Sequence, residues 1–152
     1  MPYIQGITDR SEADIAARTK KAFFNVSDYA RIKSNILFIE SVLRRFHANV
    51  PTLSAMPNKG EHNMISGPEM RAMAENIERL RIAAKFLNTT GEAIFYAFAD
   101  GTRCPDYAMI NQWERILERI ESTYGQLAFG RRPITSIAIC GAGMTRQNGF
   151  RR

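Results

Sequence analysis

One amphipathic pattern occurs three times in this chain, and it constrains the fold more than any other feature. Between Ser27 and Phe46 the apolar residues Tyr29, Ile32, Ile36, Ile39 and Leu43 fall in steps of three and four, drawing one stripe along a helix. Met70, Met73, Ile77, Leu80 and Ala84 repeat those steps, and so do Ile110, Trp113, Leu117, Ile120 and Tyr124. Aligned on the stripes, Asn35-Ile36 matches Asn76-Ile77, and Ile32 matches Met73 and Trp113. A spacing near forty residues suits a helical solenoid, but solenoid repeats pair two or three helices per unit and each unit here offers one. Three antiparallel or obliquely packed helices around a shared core are the simpler expectation. Met and aromatic residues on the stripes are then core filling.

The punctuation between the stripes fits that reading. Ser27 and Asp28 stand where the first helix needs side-chain oxygens for its free N–H groups, with Arg44 and Arg45 at its negative end near His47. Ser66 with Glu69 forms a capping box ahead of the second helix, and Asp106 starts the third. Thr8 to Phe24 has candidate caps at Thr8, Asp9 and Ser11 but a thin apolar face, which predicts a short helix leaning on the body. Asn49 to Pro68 holds three prolines and two glycines and shows no periodicity, so it reads as a loop and a candidate contact surface. Ile94 to Ala99, before the Gly and Pro punctuation of Asp100 to Asp106, fits a short strand or a helical turn equally well.

Past Gly125 the character changes. Ile134, Thr135, Ile137 and Ile139 are β-branched, Gly141 and Gly143 follow, and Asn148-Gly149 is a turn dipeptide. The formal charge of +6 also belongs here: Arg131, Arg132, Arg146, Arg151 and Arg152 face no acid in this segment, while the rest of the chain is near balance with 16 bases and 15 acids. The expected fold is therefore mainly α, a small bundle of three principal helices plus a short N-terminal helix over residues 1–124. A basic, extended or β C-terminal arm over 125–152 completes it.

Several chemistries are set aside on spacing. IAICGAG, Ile137 to Gly143, looks like the strand and turn of a dinucleotide site, but that motif needs about thirty residues and only nine follow. His47, His62, Cys104 and Cys140 lack metal-ligand spacing and place no nucleophile beside a base. Two cysteines without a secretion signal read as free thiols. Glu114, Glu118 and Glu121 alternate with Arg115 and Arg119 and read as a solvated ion-pair face. No apolar run approaches the roughly 20 residues that span a bilayer, and the start of the chain has no basic-then-apolar leader, so assembly in the cytosol is expected. No catalytic residue, cofactor or metal is expected.

Thr8-Asp9-Arg10-Ser11 with Asp14-Ile15, then Asp28-Tyr29-Ala30-Arg31-Ile32-Lys33-Ser34-Asn35-Ile36, resembles helical structural proteins in tails and prophages of bacteriophages from Gram-positive hosts. Those proteins carry a TDRT-x-x-D-V opening and a D-x-N-R-I-E-x-N-I helix. Asn111-Gln112-Trp113-Glu114 echoes the second element, Ala30 and Lys33 depart from it, and the similarity covers about a quarter of the chain. The resemblance implies a non-enzymatic tail or baseplate-associated virion component, made in the host cytoplasm and partnered by other virion subunits and copies of itself. The arm would make those contacts through Arg131, Arg132, Ile137, Ile139, Met144, Arg146 and Phe150, by strand addition. The alternative is a small nucleic-acid-binding protein whose five tail arginines contact phosphates; Phe150 alone among them is little stacking surface.

Overall fold

The computed structural model describes residues 2–46, 48–61, 63–84 and 105–125. Within them lie α1 (Glu12–Ala16), α2 (Val26–Arg45), α3 (Gly67–Ala84) and α4 (Tyr107–Ile120), the last running into a π-helical turn, Glu121–Gly125. The fold is mainly α, a bundle of three principal helices with a short helix ahead of them, and no strand occurs among the described residues. The Ile94 to Ala99 segment and the whole C-terminal arm lie outside the described residues.

All three stripes face one core. Ile32, Ile36, Leu43, Met73, Ile77, Leu80, Ala84, Trp113, Leu117 and Ile120 are fully buried, and Tyr124 packs against the same cluster. Burying side chains of this size contributes about 1.5–3 kcal/mol each before entropy is counted, so the repeated stripe is the main source of the fold.

Of the two arrangements expected, antiparallel or obliquely packed, the antiparallel one does not occur. At one pole the beginnings of α2, α3 and α4 gather, with Val26, Met70 and Tyr107 around one groove. At the other pole the Tyr124 hydroxyl donates to the Ala84 carbonyl at 2.8 Å, and the Tyr124 ring sits 5.5 Å from that of Phe46. All three principal helices therefore run the same way. Each connection must return the length of a helix, about 30 Å for the twenty residues of α2, which explains why the links are long.

The described return segment, between α2 and α3, is a packed part of the body. Residues 48–59 descend along α2 and α3, burying Val50 and Met56, with the Pro57 carbonyl accepting from Tyr29 and Lys59 pairing with Glu69 at 2.6 Å. The first half of the expected contact loop is thus core-facing; periodicity missed it because an extended segment crossing a helix pair buries residues at irregular spacing. Lys59 also holds the Glu69 carboxyl below its ordinary range, aided by the Ser66 backbone N–H that Glu69 caps. A depressed carboxyl contributes stability above its unfolded value, near 4.5, and loses it as pH falls through the folded value. Glu69→Gln should cost about 0.5–1 kcal/mol at pH 7 and converge with the parent in acid, read from urea midpoints across pH 2–7.

One helix start differs from expectation, and another selects among the expected caps. The N-cap of α2 is Asn25, whose Oδ1 accepts from the Ser27 and Asp28 amides, while Asp28 returns a bond to the Asn25 amide. Ser27 lies inside the first turn. Helix α1 is only five residues, capped by Ser11 with Asp14 in return. It stops because Arg18 turns left-handed, φ 49°, so that its amide reaches the Ile15 carbonyl and the Thr19 amide reaches that of Asp14. This is a Schellman closure without the glycine that would have signalled it.

Candidate functional site

The N-terminal segment, residues 2–10, lies in the seam between α2 and α4 and runs antiparallel to both. Asn35 of α2 holds Ile4 at both backbone groups: its Oδ1 accepts the Ile4 amide at 2.9 Å and its Nδ2 donates to the Ile4 carbonyl at 2.7 Å. Asn111 of α4 does the same for Arg10, at 3.2 and 2.8 Å. Asn76 of α3 repeats the device on the return segment, holding Ser54 at 2.7 and 2.9 Å. A buried amide matches the donor and acceptor of an extended residue, so each clamp satisfies backbone groups that lie far from any sheet.

Between the clamps is a buried ionic quartet. Arg10 Nη2 donates to Asp28 Oδ1 at 3.0 Å and to Glu114 Oε1 at 3.1 Å; Arg31 Nη2 donates to the same two oxygens at 2.6 and 2.7 Å. Each carboxylate uses its other oxygen on backbone, Asp28 on the Asn25 amide and Glu114 on the Ile7 amide. Arg10, Asp28 and Glu114 are at most 4% exposed. Charges so far from water persist because the four cancel and each is hydrogen-bonded. Burial works against the Arg31 cation, and Glu114 and Asp28 outweigh it, so its pKa lies above the ordinary arginine value.

Glu114 therefore leaves the solvated face assigned to it. Alternation with Arg115 and Arg119 suggested a surface, but the face it shares with Asn111 is covered by residues 2–10, which helical periodicity alone could not place. Glu118 lies at the edge of that cover and accepts from Gln5 at 2.8 Å. Gly6 fits because an alanine Cβ there would come within 2.5 Å of Glu114 Oε2 and 3.2 Å of its Cβ. The two arginines fix that carboxylate, so Gly6→Ala should cost about 1–3 kcal/mol and speed protease cleavage before Arg10, measured by limited digestion.

Among the described residues an open concavity lies at the pole where the principal helices begin. It has a volume of about 860 Å³, and its walls come from the α1–α2 connection, the 59–65 stretch and the start of α4. Phe23, Ile15 and Met64, at 53, 40 and 90% exposure, are three of the large apolar side chains the body leaves to water, and all line it. Such clustering marks an interaction surface more than scattered exposure does. The second half of the 49–68 loop thus lines this groove. Phe23 and Met64 were missed as site residues because neither lies on a periodic face.

Arg131, Arg132, Ile137, Ile139, Met144, Arg146 and Phe150 lie outside the described residues, as do His47, His62, Cys104 and Cys140. Among the described residues, no group of His, Cys, Asp or Glu is arranged to hold a metal ion, and no helix is long and apolar enough to cross a membrane. No family model, curated protein or solved structure matches the chain.

Proposed function

We propose that this protein is a non-enzymatic structural subunit of a tailed bacteriophage or prophage particle, in the tail, baseplate or connector region. It acts by holding neighbouring virion subunits and copies of itself. The described residues form the rigid body, and the arm beyond Gly125 makes the joint through its apolar residues and arginines.

The observation that carries this reading is where the resembling residues meet. Arg10 of the first element, Asp28, Arg31 and Asn35 of the second, and Asn111 and Glu114 of its echo belong to one lock that fastens the N-terminal segment to the body. Elements spread over a hundred residues thus answer to one tertiary requirement, which supports reading them together as the mark of one kind of body. Its most concentrated polar chemistry is directed inward, to rigidity, as a spacer or docking unit requires.

A second reading rests on charge. The five arginines beyond Gly125 meet no acid there, and a phosphate backbone would suit them. Deleting Pro133 to Arg152 separates the two. Under the structural reading the shortened protein keeps its helical circular dichroism and loses assembly, measured as mass by light scattering. Retained assembly with loss of salt-sensitive DNA or RNA binding overturns it in favour of nucleic acid.

A further inference from the structure

We propose that the apolar groove receives the C-terminal arm of a second copy of this chain, so that subunits join head to tail. The inference rests on the structural reading above and adds to it the receiving surface and the polarity of the joint.

Three observations converge. The first is chemical fit. The groove offers Phe23, Ile15 and Met64 to water, and the arm carries Ile137, Ile139, Met144 and Phe150, an apolar set of matching scale. The second is charge. Of the described charged residues lining the groove, Lys59 is neutralised by Glu69, whereas Glu61 and Asp106 are exposed carboxylates. Lys21, beside the lining residue Ala22, is paired with Asp9 and Asp14. Two exposed carboxylates beside an apolar floor suit a segment that combines apolar residues with five arginines and no acid.

The third is position. The groove lies where α4 begins, and the described chain ends at Gly125, where α4 and its π-helical turn finish, roughly 25 Å away by helical rise. Twenty-seven residues follow Gly125. To reach its own groove the arm would have to run back the length of the body, where residues 2–10 fill the α2–α4 seam and residues 48–59 the α2–α3 seam. A donor arm leaving one pole and an acceptor groove at the other suit a heterologous, head-to-tail contact, which builds rings or open filaments.

Three full-length proteins test this: the parent, an arm variant with Ile137→Asp and Ile139→Asp, and a groove variant with Phe23→Asp and Met64→Asp. Met64 is 90% exposed, so its replacement leaves the core alone; equal helical signals and urea midpoints check folding. The parent mass should rise with concentration in sedimentation velocity. Each variant should stay at the 17.2 kDa monomer with association weakened at least tenfold. An equimolar mixture of the two should stop at heterodimers, because only one good arm and one good groove remain. The milder Glu61→Lys should weaken parent assembly and reduce its salt dependence. If the arm variant loses assembly while the groove variant keeps it, the groove is not the receptor and the arm's structural role stands. If neither variant alters assembly, both readings fall. A parent that stays monomeric at every concentration, or a mixture that yields no heterodimer, overturns the head-to-tail joint.

Discussion

Replacing Glu114 by alanine should destabilise the body by about 3–5 kcal/mol, the usual cost of removing one member of a buried ionic cluster. The carboxylate binds both Arg10 and Arg31 and also accepts the Ile7 amide. Its loss leaves the quartet with two cations against Asp28 alone, with Arg10 and Asp28 buried and Arg31 only partly open to water. Against a total stability of roughly 5–15 kcal/mol, that raises the unfolded fraction by about two to three orders of magnitude. Urea unfolding followed by circular dichroism measures it as a fall in midpoint with the slope unchanged. Changing Arg10→Met together with Glu114→Leu should cost less than the sum of the single changes, because the remaining Asp28 and Arg31 still balance. An additive result would mean that the four groups do not act as one cluster.

Asn111→Leu should cost about 2–4 kcal/mol, since the amide and carbonyl of Arg10 both lose their partner and an unsatisfied buried group costs about 1–3 kcal/mol. The leucine keeps the branching and heavy-atom count and opens no cavity, so the loss reports the clamp and not a void. Asn35→Leu makes the comparison informative. Its partner Ile4 is 46% exposed, so water can take over the freed groups, and a smaller loss is expected. Amide hydrogen exchange should separate the two: Asn111→Leu should release the Arg10 and Ile7 amides together, whereas Asn35→Leu should free Ile4 with little effect at Arg10. Equal losses at both sites would show that burial of the clamped residue does not set the cost.

What was legible in the sequence was carried by period. A stripe such as Ile32, Ile36, Ile39 and Leu43 needs only helix geometry to be read, and the same holds for Ile110, Trp113 and Leu117. Local capping was readable where it used short-range partners, as with Ser66 and Glu69 or Asp106. The groove was not, because Phe23 and Met64 come from irregular segments that only the packing of three helix starts brings together. The clamps were half visible: Asn35 and Asn76 stood out as matched polar residues inside apolar stripes, but their partners Ile4 and Ser54 have no signature of their own.

The sequence by itself determined that the body is helical, that three faces share one core, and that the excess positive charge lies past the last helix, because period and composition are local properties. Tertiary structure decided the common direction of the helices, the burial of Arg10, Asp28 and Glu114, and the place of the open groove. Those depend on extended segments returning across helix seams. An extended residue is satisfied by whatever donor and acceptor the far element presents, so the choice is made in three dimensions and leaves no period along the chain.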